Sequence, residues 1–109
     1  MHTLELVSHL RRQREFSFAT YGPGERVEGV SQHIRKELDE VAADAAAGKP
    51  TLPEWTDVII LALDGALRSG ATPEEIAMSI ERKQGVNESR SWPDWRTADP
   101  NGAIEHVRD

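Results

Sequence analysis

The chain reads as all-α: a four-helix bundle with an irregular, aromatic-containing C-terminal tail. Three observations predict this. Apolar residues recur at three- and four-residue steps in separate segments, and helix start and stop signals bracket those segments. No stretch alternates apolar and polar residues convincingly over strand length.

The first helix is expected from about Leu4 to Glu15, where Leu6 and Leu10 give a narrow apolar stripe. Phe16 to Arg26 reads as an ordered loop that packs its rings, because Phe16, Phe18 and Tyr21 lead into the breaker Gly22-Pro23-Gly24. That triplet lacks the lysine and context of a phosphate loop, so it is a structural turn. The second helix begins at Val27 or Val30 and runs to Ala47, carrying Val30, Ile34, Leu38, Val41 and Ala45 on one face. Gly48 stops it. Glu37 borders this apolar stripe, while Glu40 points to the adjoining side with Lys36 and Asp44.

The third helix follows Lys49-Pro50, with Thr51 as N-cap, Pro53 in the first turn and Glu54 at the third helical position. It is apolar almost all round through Ser69 and is expected to be the buried central helix. Val58-Ile59-Ile60 also suits a strand, but the length from Leu52 to Ser69 favours helix. Asp57 and Asp64 share a face of it. Thr72-Pro73-Glu74-Glu75 opens a fourth helix with a capping box, a break is expected near Gly85, and a short helical turn near Ala103 to Arg108.

At 109 residues, 38% apolar and 29% charged, the sequence describes one domain spanning 1–109, slightly lean in core residues. Self-association would complete such a core. There is no cysteine, which excludes disulfides and thiolate metal sites. Met1 to Arg14 has no secretory apolar stretch, and the longest apolar run, Val58 to Leu63, is too short to cross a bilayer. A formal charge of −6 argues against duplex nucleic acid as a partner. A cytoplasmic protein is expected.

The chemistry-bearing pattern is acidic. Glu37-x-x-Glu40 and Glu54-x-x-Asp57 each place two carboxylates one turn apart, and thirteen residues separate the pairs. On facing helices the four would converge. Such a cluster must be neutralised, and hard Mg²⁺ or Mn²⁺ ions suit an all-oxygen site. Each member also has a plainer reading: Glu54 as the far half of a capping box with Thr51, Glu37 and Glu40 as a solvated face with Arg35 and Lys36. Asp57 resists it, because it abuts the Val58 to Leu63 run. Trp55, Trp92 and Trp95 read as packing residues before base-stacking ones, and His33 and His106 as structural or surface groups.

The two acidic pairs and their spacing resemble the signature of the MazG-type all-α nucleoside triphosphate pyrophosphohydrolases, and Lys83-x-x-x-Asn87-x-x-Arg90 resembles the family's downstream nucleotide-contacting segment. Phe18, Gly22-Pro23-Gly24-x-Arg26, Gly29-Val30, the 33–38 stretch, the 54–66 stretch and Trp92-Pro93-Asp94-Trp95-Arg96 are similar to its dATP/dGTP diphosphohydrolase branch, which includes phage MazZ proteins. Lys36 departs from the pattern, standing where many relatives carry an additional glutamate.

The resemblance implies hydrolysis of a purine (deoxy)nucleoside triphosphate, dGTP or dATP, to the monophosphate and pyrophosphate, with two or more Mg²⁺ or Mn²⁺ ions per site. It implies Glu37, Glu40 and Asp57 as ligands, and Glu54 as a fourth ligand or the base that orients water. Asp64 is assigned either another metal or a basic side chain. Lys83, Asn87 and Arg90 are assigned to phosphate, and the assembly is a homodimer or homotetramer. The alternatives are a housekeeping hydrolase of damaged nucleotides and a helical interaction module without catalysis.

Overall fold

The computed structural model describes residues 3–108. Among them are four α-helices, one 3-10 turn and no strand: α1 (Leu6–Tyr21), α2 (Val27–Ala46), α3 (Leu52–Arg68), α4 (Pro73–Ser89) and the turn Trp95–Thr97. This is the all-α element set expected of a four-helix bundle. No described helix is long and apolar enough to cross a membrane. The chain divides into two compact units, one ending at Ala77 and the other starting at Met78.

In the first unit α1 starts at Glu5, whose carboxylate accepts from the N–H groups of Val7 and Ser8. It does not end at Glu15. The aromatic segment expected as a loop is its last turns, and the helix stops only at Gly22, where φ is +89°. Nothing in Phe16 to Tyr21 forbids helix, and Ser17 on that stretch is buried against α3. The breaker alone sets the end. α2 ends in a Schellman motif at Gly48, with φ +71°: Gly48 N–H donates to Ala45 and Lys49 N–H to Asp44.

α3 packs along α2, and α1 packs on α3. A small apolar core joins Leu10, Leu67 and Ile76, with Leu6, Leu63, Ala66 and Ala71 around it. α3 is not the fully buried central helix its composition suggested. Only Asp64, Leu67 and Arg68 are buried along it, while Ile59 is 56% exposed and Ile60 39%. Two neighbours cover only part of a helix that is apolar all round.

Polar side chains do much of the joining of α1 to α3. Gln13 donates from Nε2 to the Ile60 carbonyl at 2.7 Å, and its Oε1 meets His9 Nε2 at 2.8 Å. Arg68 spends every N–H it has. Nε donates to Asp64 Oδ2 at 2.9 Å, Nη1 to the Gly22 and Gly24 carbonyls, and Nη2 to the Ser17 carbonyl and Oγ. Ser17 Oγ–H in turn donates to Asp64 Oδ1 at 2.6 Å, and the guanidinium lies over the Phe18 ring. One buried cation thus ties α1, the Gly22–Gly24 turn and α3 together.

α4 opens on the capping box foreseen in the sequence: Glu75 N–H donates to Thr72 Oγ1, and Thr72 N–H to Glu75 Oε1. Arg11 pairs with Glu74 in its first turn. No break occurs at Gly85. Its helix penalty is only about 1 kcal/mol, and Gln84 bonds Glu88 across it. In the second unit the tail is pinned by Trp92 Nε1–H donating to the Asn87 carbonyl and by Val107 N–H donating to Ser91. The expected helical turn at Ala103 to Arg108 is absent. A 3-10 turn at Trp95–Thr97, capped by Asp94, stands instead, because Asp94 can accept from Arg96 N–H.

Arg68→Ala would leave Asp64 buried and half-paired, so urea unfolding at fixed protein concentration is expected to show a loss of about 3–5 kcal/mol. A loss under about 1 kcal/mol, the scale of a surface pair, would mean that the knot is incidental.

Candidate functional site

The acids sit where α2 and α3 face one another. Glu37 is 7% exposed, and its Oε2 is buried without a hydrogen-bond partner among the described residues. Burial raises its carboxyl above the usual range, and the charges of Glu40 and Asp57 raise it further. His33, whose Nε2 is 3.6 Å from Glu37 Oε1, works weakly the other way. The first pair therefore feels Asp57 of the second, as two facing helices require.

Glu54 shows the same signature. The expected N-cap bond from Thr51 is not formed, so Glu54 is not the far half of a capping box. Its Oε2 is also buried and unpartnered. Its own backbone N–H pulls the carboxyl down, but the Asp44 carboxyl, burial and the Glu40 charge together leave it raised. Asp44 is thus a fifth acid of the group that the sequence reading left aside. It stands four residues after Glu40, on the same face, which was the available signal.

These donors fit a divalent cation. Two buried carboxylate oxygens lacking any N–H or O–H partner, with further carboxylates close enough to raise their proton affinity, are the environment a hard cation relieves. Among the described residues no three acidic or imidazole side chains already converge as a finished cage. Glu40 and Asp57 are solvent-exposed, so they can swing.

Glu37 and Asp57 open onto a cleft of about 310 Å³ between α1, α2 and α3, near the lower end for ligand sites. Asp64 lines it too, but both its oxygens are engaged by Ser17 and Arg68. Of its two expected roles, the structure therefore places it against a basic side chain. The i,i+4 spacing of Asp64 and Arg68 on an apolar helix made that legible. Val30, Ile60 and Leu61 give the cleft an apolar lining, and Phe16 and Tyr21 meet edge to face at 6.3 Å on its wall. Arg26 and His33 are its basic groups.

Lys83, Asn87 and Arg90 belong to the second unit. Lys83 and Asn87 are one turn apart on α4, Lys83 exposed and Asn87 half-buried, but Arg90 lies just past the helix end instead of a turn further along it. Trp92 packs on His106 with ring centroids 6.0 Å apart, and Trp95 is 70% exposed beneath the Arg96 guanidinium.

A family model described as dATP/dGTP pyrophosphohydrolase matches residues 9–109, and so runs through both units. The chain belongs to the dATP/dGTP pyrophosphohydrolase family. No curated protein and no solved structure is significantly similar to it. As a dATP/dGTP pyrophosphohydrolase the chain is a nucleoside triphosphate diphosphatase, of a MazG-like class that generally uses divalent metals.

The raised Glu37 carboxyl makes a stability prediction. The native state holds this proton more tightly than the unfolded chain, so the contribution is fully present below the ordinary value of 4.5 and is lost as pH rises through the folded value. Glu5 and Glu75, lowered by hydrogen bonds from Ser8 and Thr72, act below 4.5 and in the opposite sense, as does Glu74, lowered by its own backbone N–H and by Arg11. Without divalent ions, Glu37→Gln is therefore expected to melt higher than wild type at neutral pH. The advantage should vanish below 4.5. A variant that melts no higher at neutral pH would show that the carboxylate is comfortably solvated.

Proposed function

We propose that this dATP/dGTP pyrophosphohydrolase is metal-dependent and hydrolyses a purine deoxynucleoside triphosphate, dGTP first and dATP second, with Mg²⁺ or Mn²⁺ held by Glu37, Glu40, Glu54 and Asp57. The observation that carries this is the pair of buried, unpartnered oxygens on Glu37 and Glu54, one from each facing helix. The ions would neutralise the triphosphate, polarise the α-phosphorus and acidify water at neutral pH.

In the reaction, a water oxygen bonds to the α-phosphorus, the bond from that phosphorus to the α,β-bridging oxygen breaks, and pyrophosphate departs with the electron pair. The water must lose a proton. Glu54, on the first turn of α3, is suited to orient the water and receive that proton through a carboxylate oxygen not engaged by an ion. Glu37, Glu40 and Asp57 hold charge in place through the reaction. Lys83, Asn87 and Arg90 are assigned to phosphate oxygens, since a lysine and an arginine offer a point charge and a fork. Asp64 contributes by holding the cleft wall through Arg68, a positioning part in nucleotide binding.

The whole chain, 1–109, acts as one catalytic domain in the cytoplasm, where its substrate is made. The phage MazZ branch is the best-supported placement within the family, resting on the Gly22-Pro23-Gly24-x-Arg26 and Trp92-Pro93-Asp94-Trp95-Arg96 stretches. There the dGMP product feeds synthesis of a modified purine deoxynucleotide. A homo-oligomer, dimer or tetramer, is supported by the apolar surface that this chain leaves open: Leu52 at 71% and Ile59 at 56% exposure, with Trp55 beside them on α3.

Two measurements test these readings. Incubation with a panel of (d)NTPs, including oxidised bases, plus Mg²⁺ or Mn²⁺ should release equimolar monophosphate and pyrophosphate from dGTP or dATP. Asp57→Ala and Glu40→Ala should abolish that release with helical circular dichroism unchanged, and Glu54→Gln should slow it by roughly 10²–10⁴-fold. Release of single phosphates, or preference for an oxidised base, would overturn the assignment. Light scattering after size exclusion should show an oligomer that Ile59→Asp converts to monomer; a monomeric wild type refutes the assembly.

A further inference from the structure

The family leaves the choice between two purines open, and the cleft contains a group that can make it. We propose that Arg26 reads the base, donating both arms of its guanidinium to O6 and N7 of guanine. This rests on the triphosphate reading above and adds the base selectivity of the same site.

Val30, His33 and Glu37 recur at three- and four-residue steps on one face of α2, and Arg26, the residue just before its first turn, lines the same cleft. The catalytic acids are at the Glu37 end. The guanidinium at the other end leans along the helix, and a Cβ on Gly29 would stand 3.1 Å from Nη2 and 3.6 Å from Cζ. From Gly29 to Glu37 is about 12 Å at ~1.5 Å per residue, the span of a nucleoside with its first phosphate anchored at the acids. The wall between is apolar and aromatic, which suits a base and sugar and would not suit a phosphate chain.

The guanidinium lies beside an aromatic ring, and its N–H groups are left unbonded among the described residues. Its carbon lies 5.7 Å from the centroid of the Tyr21 ring, and that ring is braced by Phe16. Gly29 admits it close to the helix. Among the described residues no hydrogen bond or ion pair engages its N–H groups, whereas Arg68, on the other side of the Gly22–Gly24 turn, has every N–H bonded. An arginine beside an aromatic ring with its donors free matches two adjacent acceptors bidentately. Guanine presents O6 and N7. Adenine presents N7 beside the N6 amino group, itself a donor, and so repels one arm.

The test is the ratio of kcat/KM for dGTP over dATP in the full-length metal-loaded enzyme, with dITP and 7-deaza-dGTP as probes. Wild type should prefer dGTP, accept dITP, which keeps O6 and N7, and handle 7-deaza-dGTP, which lacks N7, poorly. Arg26→Gln should lower the dGTP/dATP ratio by roughly 5- to 150-fold, since glutamine suits the N6/N7 edge of adenine, and should erase the penalty on 7-deaza-dGTP. Arg26→Lys, which keeps a donor for O6 and N7 but loses the fork, should weaken the preference without reversing it. Gly29→Ala, which crowds the guanidinium from below, should shift the ratio the same way by less.

An unchanged ratio in Arg26→Gln overturns the proposal, including the case where KM rises equally for both purines, which would make Arg26 a phosphate clamp. A wild type that prefers dATP overturns it too. In both cases the hydrolase reading survives. A wild type that cleaves no dNTP removes both.

Discussion

A carboxylate withdrawn from water needs a donor or a cation, and this chain meets that requirement at one buried acid and leaves it open at two others. Asp64 is served on both oxygens, by Ser17 and by Arg68. Glu37 on α2, and Glu54 a few turns before Asp64 on α3, each keep a buried oxygen with no partner among the described residues. The contrast is informative because the two environments share one scaffold. The fold completes the hydrogen bonds of the knot and withholds them at the acids, where the proposed ion would bind. Stability is surrendered at Glu37, first through the burial of its carboxylate and then through the charges of Glu40 and Asp57 beside it.

The same division organises the cleft. Its acidic end includes Glu37 on α2 and its arginine end is the residue just before α2, and the apolar stretch between them is contributed by all three helices. Arg68 does not touch that interior with a free donor. It fixes the Gly22–Gly24 turn that carries the chain from Tyr21 to Arg26, so the aromatic wall and the free guanidinium are both held from behind. The small number of buried apolar side chains explains why a polar knot carries this load.

Much of this was legible in the sequence. Helix content, the Gly22-Pro23-Gly24 and Gly48 stops, the Thr72 to Glu75 capping box and the placing of acidic pairs on α2 and α3 all follow from local patterns. The extension of α1 through Tyr21 was not, because aromatic residues before a glycine pair fit a loop or a last helical turn equally, and only Ser17 against Asp64 decides. α3 was misjudged as central because periodicity reports apolarity and cannot say which faces this chain itself covers. Gly85 broke nothing, since a cost of about 1 kcal/mol is offset within a 17-residue helix. Asp44 and Arg68 were readable as i,i+4 partners of Glu40 and Asp64. The base-reading role proposed for Arg26 was not, because it rests on donors left unused, which no spacing encodes.

The central claim is that Glu37 and Glu54 keep their oxygens bare in order to hold cations against a triphosphate. Anomalous scattering from crystals grown with Mn²⁺ and a non-hydrolysable dGTP analogue tests it most directly. The account predicts manganese about 2.1 Å from Oε2 of Glu37 or Glu54, with an α-phosphate oxygen sharing the ion. Manganese and triphosphate bound together elsewhere, with those two oxygens still bare, would contradict it.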